Sequence, residues 1–185
     1  LDKKQVYNER RRKMKTEQNK TKQLVLTGMM TAVAFVLSIL EIPMPTGVPI
    51  TLQTFALALC GYLLGWKKGF LGVPVFSGMS GGIQVMLGLT GGFIWGFPVL
   101  AALSGLGSGK KNAVSAVAFG VLGLAAVHLL GALQFSLLSG NTYLTSLMLV
   151  SVPYLVKDLL SVAGAYLVSL ALKKALKAAD LYCPG

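Results

Sequence analysis

Apolar and polar positions fall in long blocks along this chain, with none of the short alternation that marks half-buried strands. Residues 1–22 are polar and basic, and apolar runs follow at about 24–40, 52–66, 93–106, 113–138 and 144–172. Several approach or exceed the ~20 apolar residues that carry a helix across a bilayer. Polar or helix-breaking stretches separate them: Pro43, Pro45 and Pro49 after the first run, Lys67-Lys68 after the second, Lys110-Lys111 after the third and Asn141-Thr142 before the last. Proline lacks a backbone donor and fixes its φ, so the first helix should end before 41–49. The blocks predict an all-α integral membrane protein with a basic segment at 1–22, a membrane domain at 23–176 and a short tail at 177–185. The run from residue 24 is long and has no small-residue cleavage pattern, so it reads as a transmembrane helix rather than a signal peptide.

The stretch 72–93, GVPVFSGMSGGIQVMLGLTGGF, interrupts this pattern with seven glycines and Pro74. Unpaired main chain facing lipid costs several kcal/mol per polar group. Such a loop must cover protein or line a wet cavity, and we read it as the cap of a binding cavity.

Composition agrees with the membrane class: 54% of residues are hydrophobic, 12% are charged and the mean hydropathy is +0.69. The net charge of +11 could suggest nucleic acid, but its placement argues otherwise. Nine of the 17 Lys and Arg residues lie in the first 22 positions, and the rest cluster beside apolar runs. That is the distribution expected at cytoplasmic edges, and Tyr7 alone could stack on a base there. Cys60 and Cys183 form no ligand set, and no phosphate-binding loop of the G-x-x-x-x-G-K-[ST] type occurs. No metal or cofactor is expected.

Sidedness gives a further clue. With a cytoplasmic N-terminus, each basic cluster can sit inside only if the chain crosses once more between Lys68 and Phe93. Those residues contain no apolar window long enough. Either the loop is a broken crossing or a helix is absent near residues 69–72.

Lys157 and Asp158 are the acid–base neighbours within an apolar span, and ionisable residues there are functional candidates by default. Adjacent helical residues point about 100° apart, so the two need not pair and could both edge one cavity. Tyr154 and Ser161 fall on the same side. A buried pair that merely stabilises its helix is the plainer alternative.

In the first helix Thr27 and Thr31, Gly28 and Ala32, and Ala34 and Ser38 recur at four-residue spacing. Such stripes permit close helix packing, either within the chain or, for Gly28, Ala32, Ala34 and Ser38, against a partner subunit. The lone His128 is assigned no role.

Four segments in order, GVPITLQTFALALCGYLLG at 47–65, GVPVFSGMSGG at 72–82, GLTGGFIWGF at 88–97 and PYLVKDLL at 153–160, resemble the BioY family. This is the biotin-specific substrate-binding (S) component of energy-coupling-factor (ECF) transporters, and the likeness spans nearly all of 24–176. It implies a six-transmembrane-helix bundle with a glycine-rich extracytoplasmic loop, the helix near 69–72 being absent here. It implies biotin capture from outside, with a membrane scaffold subunit and two ATPase subunits energising uptake, and no catalytic residue. Asp158 would accept from the ureido N–H groups and Lys157 would donate to an anionic or carbonyl oxygen. Gly81, Gly82 and Gln84 would offer backbone and amide groups; Thr90, Gly91, Gly92 and Phe93 a hydroxyl, close main chain and an aromatic wall; Tyr154 and Gln53 further contacts; Phe76 and Trp95 other walls. Family members often carry a lysine three residues after the acid. Here Ser161 stands there and Lys157 precedes Asp158. An S-component for another vitamin, an intramembrane enzyme and an interaction-only subunit are the competing readings.

Overall fold

The computed structural model describes residues 3–45, 48–71, 76–77, 80–81 and 83–182. Helix α1 (Lys3–Ile39) runs unbroken from the basic segment into the first apolar run. A two-residue pair, β1 (Glu41–Ile42) and β2 (Ile50–Thr51), joins antiparallel, with Glu41 opposite Thr51. Then come α2 (Gln53–Leu64) and α3 (Trp66–Leu71), separated by Gly65 at φ +80. Strands β3 (Phe76–Ser77) and β4 (Ser80–Gly81) pair antiparallel, and α4 (Ile83–Leu87) leads into α5 (Gly91–Ser108). The chain continues through α6 (Ala113–Ser139), α7 (Tyr143–Val150) and α8 (Val152–Ala178).

Among the described residues four helices, α1, α5, α6 and α8, are long and apolar enough to cross a membrane, and α2 is a shorter apolar helix. Large apolar side chains such as Leu122, Leu129, Leu137, Leu160 and Leu167 point outward from α6 and α8. Water would penalise so much exposed apolar surface, whereas hydrocarbon accepts it. The molecule is therefore a multi-pass helical membrane protein.

One expectation changes. The last span is not one helix from 144 to 172: it breaks at Ser151, where Pro153 in the first turn of α8 cannot continue the hydrogen-bond ladder of α7. From Lys3 onward the basic segment is helical and continuous with the first span.

Antiparallel α5 and α6 pack backbone against backbone. A Cβ on Gly96 would come within 2.5 Å of Val127 Cα, and one on Gly123 within 2.8 Å of Leu100 Cα. Glycine is what lets these axes approach. Helix α6 begins at Asn112, whose side chain accepts from the Val114 N–H, and ends at Gly140 in the left-handed conformation. The main core gathers Leu57, Cys60, Tyr62, Leu100, Leu124 and Val162 from α2, α5, α6 and α8. A second cluster of Val48, Ala132, Phe135, Val150 and Tyr154 lies beneath the segment leading into α2.

Candidate ligand-binding site

Between these two clusters lies a cavity with one polar and one apolar side. Its polar wall includes Thr51, Gln53, Thr54, His128, Tyr154, Lys157 and Asp158; Phe93, Ile94, Phe97, Val127 and Val150 form the apolar wall. Strand β2, the start of α2, the start of α5, the middle of α6, the end of α7 and the first turns of α8 supply them.

The break at Ser151 sets the start of α8, so that Tyr154, Lys157 and Asp158 reach the cavity from its first two turns. Tyr154 donates its hydroxyl proton to the Val48 carbonyl. Lys157 Nζ donates to the Thr51 carbonyl at 2.9 Å and lies 2.5 Å from Asp158 Oδ1. Both charged residues thus edge the cavity and also pair with each other. The Asp158 side chain is 7% exposed and that of Lys157 29%. A nearly buried carboxylate is tolerable only with such partners.

Asp158 Oδ2 faces a group to which the sequence gave no role: His128 Nε2 lies 3.4 Å away, from α6. The Phe93 ring meets the imidazole edge-on, with centroids 6.2 Å apart. No neighbouring residue signals this histidine in sequence; the residues on either side of it are apolar, and its importance comes from what α8 places opposite it. Thr51 and Thr54 were likewise not singled out.

Of the residues proposed from sequence, Asp158, Lys157, Tyr154, Gln53, Thr90 and Phe93 are gathered on this cavity. Others lie elsewhere. Gly91 and Gly92 are buried at the start of α5, where they let α4 and α6 approach: Cβ atoms there would collide with the carbonyls of Met86 and Leu130. They pack closely there and are not among the residues that line this cavity. Gln84 is exposed on α4, and Trp95 is exposed on a lateral groove with Leu133 and Leu137. Gly81 belongs to β4, Phe76 to β3, and Gly82 lies outside the described residues. Ser161 faces a groove on the outside of α8. In α1, Gly28 and Ala32 are exposed, whereas Ala34 and Ser38 are fully buried within the chain. The latter two correct the idea of one free partner-facing stripe: their small size serves internal packing.

An apolar-faced helical bundle around a half-open, partly charged cavity defines a multi-pass membrane protein with a candidate internal site. The chain belongs to the BioY family, whose model matches residues 10–178. The "Biotin transporter BioY" of Thermotoga maritima is 34% identical over 165 residues, spanning 83% of this chain and 96% of that protein. The "Probable biotin transporter BioY" of Pyrococcus horikoshii is 35% identical over 133 residues, 66% of this chain and 78% of the relative. "Biotin transporter BioY2" of Lactococcus lactis is 30% identical over 179 residues, 90% and 98% respectively. The fold matches the crystal structure at 2.1 Å of the S-component for biotin from an ECF-type ABC transporter. There the TM-score is 0.74 at 28% identity, covering 85% of this chain and 93% of that one.

Proposed function

We propose that this chain is the biotin-capturing S-component of an ECF-type ABC transporter and serves biotin uptake across the cell membrane. It is a transport subunit, not an enzyme. Family membership supports the class, and the observation that carries the ligand is the Lys157–Asp158 pair on the cavity wall beside an apolar, aromatic face.

Biotin presents two ureido N–H donors, a ureido carbonyl, an apolar sulfur ring and a terminal carboxylate. Asp158 is an acceptor for the N–H groups, and Lys157 a donor to a carbonyl or carboxylate oxygen. Gln53, Thr90 and Tyr154 add polar contacts, and Phe93 and Phe97 an apolar face for the ring. Binding and release need no cofactor or metal. A membrane scaffold subunit and two ATPase subunits would supply the energy, the exposed Gly28 and Ala32 of α1 being candidates for the scaffold contact.

We place both termini in the cytoplasm, because the basic clusters at 1–22 and at 173–177 then lie inside. The full bundle would have six spans and a glycine-rich extracytoplasmic loop at 72–93, with one helix missing near 69–72. One observation favours this: the placement of the lysine pairs needs an additional crossing there.

Purified protein should retain biotin saturably and not riboflavin or thiamine. Retention of another vitamin in preference to biotin would overturn the ligand, and retention of none would overturn the binding role.

A further inference from the structure

We infer that His128 is a positioning residue for the binding carboxylate: from α6 it holds Asp158 Oδ2 while Lys157 holds Oδ1, so that the acid meets the ligand already oriented. This rests on the biotin-binding reading above, which leaves His128 without a task.

His128 is the one titratable side chain of α6 and is 4% exposed. A buried imidazole ordinarily finds hydrogen-bonding partners for its ring nitrogens. Here Nδ1 has none among the described residues, and the polar side chain that Nε2 faces is Asp158, at 3.4 Å. That separation is long for a hydrogen bond, as contacts in an unliganded site often are before the ligand tightens them. Phe93 from α5 packs edge-on against the imidazole, and Ser151 Oγ makes a long, 3.5 Å contact to the His128 backbone carbonyl where α6 meets the start of α8.

Without His128, the restraints on Asp158 would come from one side, from Lys157, itself tied to the Thr51 carbonyl, and from Thr54 of α2. A restraint from α6 fixes the carboxylate against α8 itself. Orienting a binding group before the ligand arrives lowers the ordering cost of binding. The imidazole N–H also supplies a donor on the side of the carboxylate away from Lys157, leaving its remaining lone pairs for the ureido N–H groups.

The test compares two variants for biotin retention and thermal melting in detergent. His128→Phe keeps a ring of similar bulk and removes the N–H; His128→Gln keeps an N–H donor. We expect His128→Phe to weaken biotin about 10- to 100-fold. We expect His128→Gln to stay within about 3-fold of wild type, as a surviving N–H should allow. In the Asp158→Asn background His128→Phe should add little, because its effect passes through that carboxylate. Equal losses in both variants, or full additivity with Asp158→Asn, would reduce His128 to a packing residue and overturn the inference. Should His128→Phe fail to fold, His128→Leu takes its place: weaker retention than His128→Gln at equal melting supports the role, and retention equal to His128→Gln overturns it. Wild-type protein that retains no biotin would instead strike at the functional reading, and the role of His128 would fall with it.

Discussion

The hydroxyl of Tyr154, in the first turn of α8, donates to the backbone carbonyl of Val48, across 106 residues of chain. One turn further on, Lys157 repeats the gesture at the Thr51 carbonyl. Together they clasp the segment entering α2 against the cavity. Tyr154→Phe keeps the ring and removes one clasp, a loss of about 1 kcal/mol. We expect biotin to dissociate several-fold faster, with melting lowered only slightly; an unchanged release rate would show that segment 48–51 does not gate the cavity.

Lys157 and Asp158 should not be equivalent when removed. Lys157→Met leaves a carboxylate that is 7% exposed without its cation, whereas Asp158→Asn leaves an ammonium that is 29% exposed and still bonded to Thr51. An uncompensated buried charge is the costlier remnant. Lys157→Met should therefore lower the melting temperature more, and Asp158→Asn should lose about 100-fold in biotin retention with near-normal expression, as loss of a buried charged acceptor implies. The reverse order of melting would contradict the burial argument.

Two glycine replacements should differ in sign. At Gly96 a methyl would press on Val127 Cα, and the antiparallel α5–α6 pair has no side chain to move aside. Gly96→Ala should cost about 1–3 kcal/mol, the usual range for overpacking. At Gly28 a Cβ would meet nothing within 4 Å, so Gly28→Ala should stabilise α1 by up to about 1 kcal/mol. Thermal melting in detergent decides both, and a neutral Gly96→Ala would mean that the two helices can separate at little cost.

Near the C-terminus Lys22 Nζ lies 2.7 Å from Asp180 Oδ2 and also donates to the Asp180 carbonyl. Lys22 holds the Asp180 carboxyl below its ordinary range. A carboxyl whose pKa is depressed by folding contributes above its unfolded value and loses that contribution as pH falls through its folded value. The tie should therefore be constant from neutral pH down to about 4, the unfolded carboxylate value, and weaken below it. Salt should weaken it at every pH, because Asp180 is fully solvated. Protease access to the turn around 179–182, measured against pH and salt, checks this; access rising toward neutral pH would reverse the sign.

The sequence displayed the spans well because length and apolarity decide them: 113–138 against the observed Ala113–Ser139 is an example. It displayed Asp158 for the same reason, since a charge in an apolar run is conspicuous. It hid His128, because a lone histidine acquires meaning only from a residue thirty positions away that the fold places opposite. Gly91 and Gly92 could not be resolved from sequence, because glycine permits a turn, a ligand approach and helix packing alike, and the structure shows them packed against Met86 and Leu130. Ala34 and Ser38 were small for an inward reason that spacing could not separate from an outward one. The α7–α8 break was signalled by Pro153 but lay inside an apolar run long enough to mask it.

Helix α1 spans 37 residues without interruption, about 55 Å at 1.5 Å per residue, well beyond the ~30 Å of hydrocarbon a bilayer offers. Its cationic half is thus a stiff lever fixed to the membrane bundle. A tilt of the spans would be magnified at its tip, carrying the arginines at 10–12 sideways past the headgroups and turning a small rocking of the body into a displacement that a probe on that arm could record.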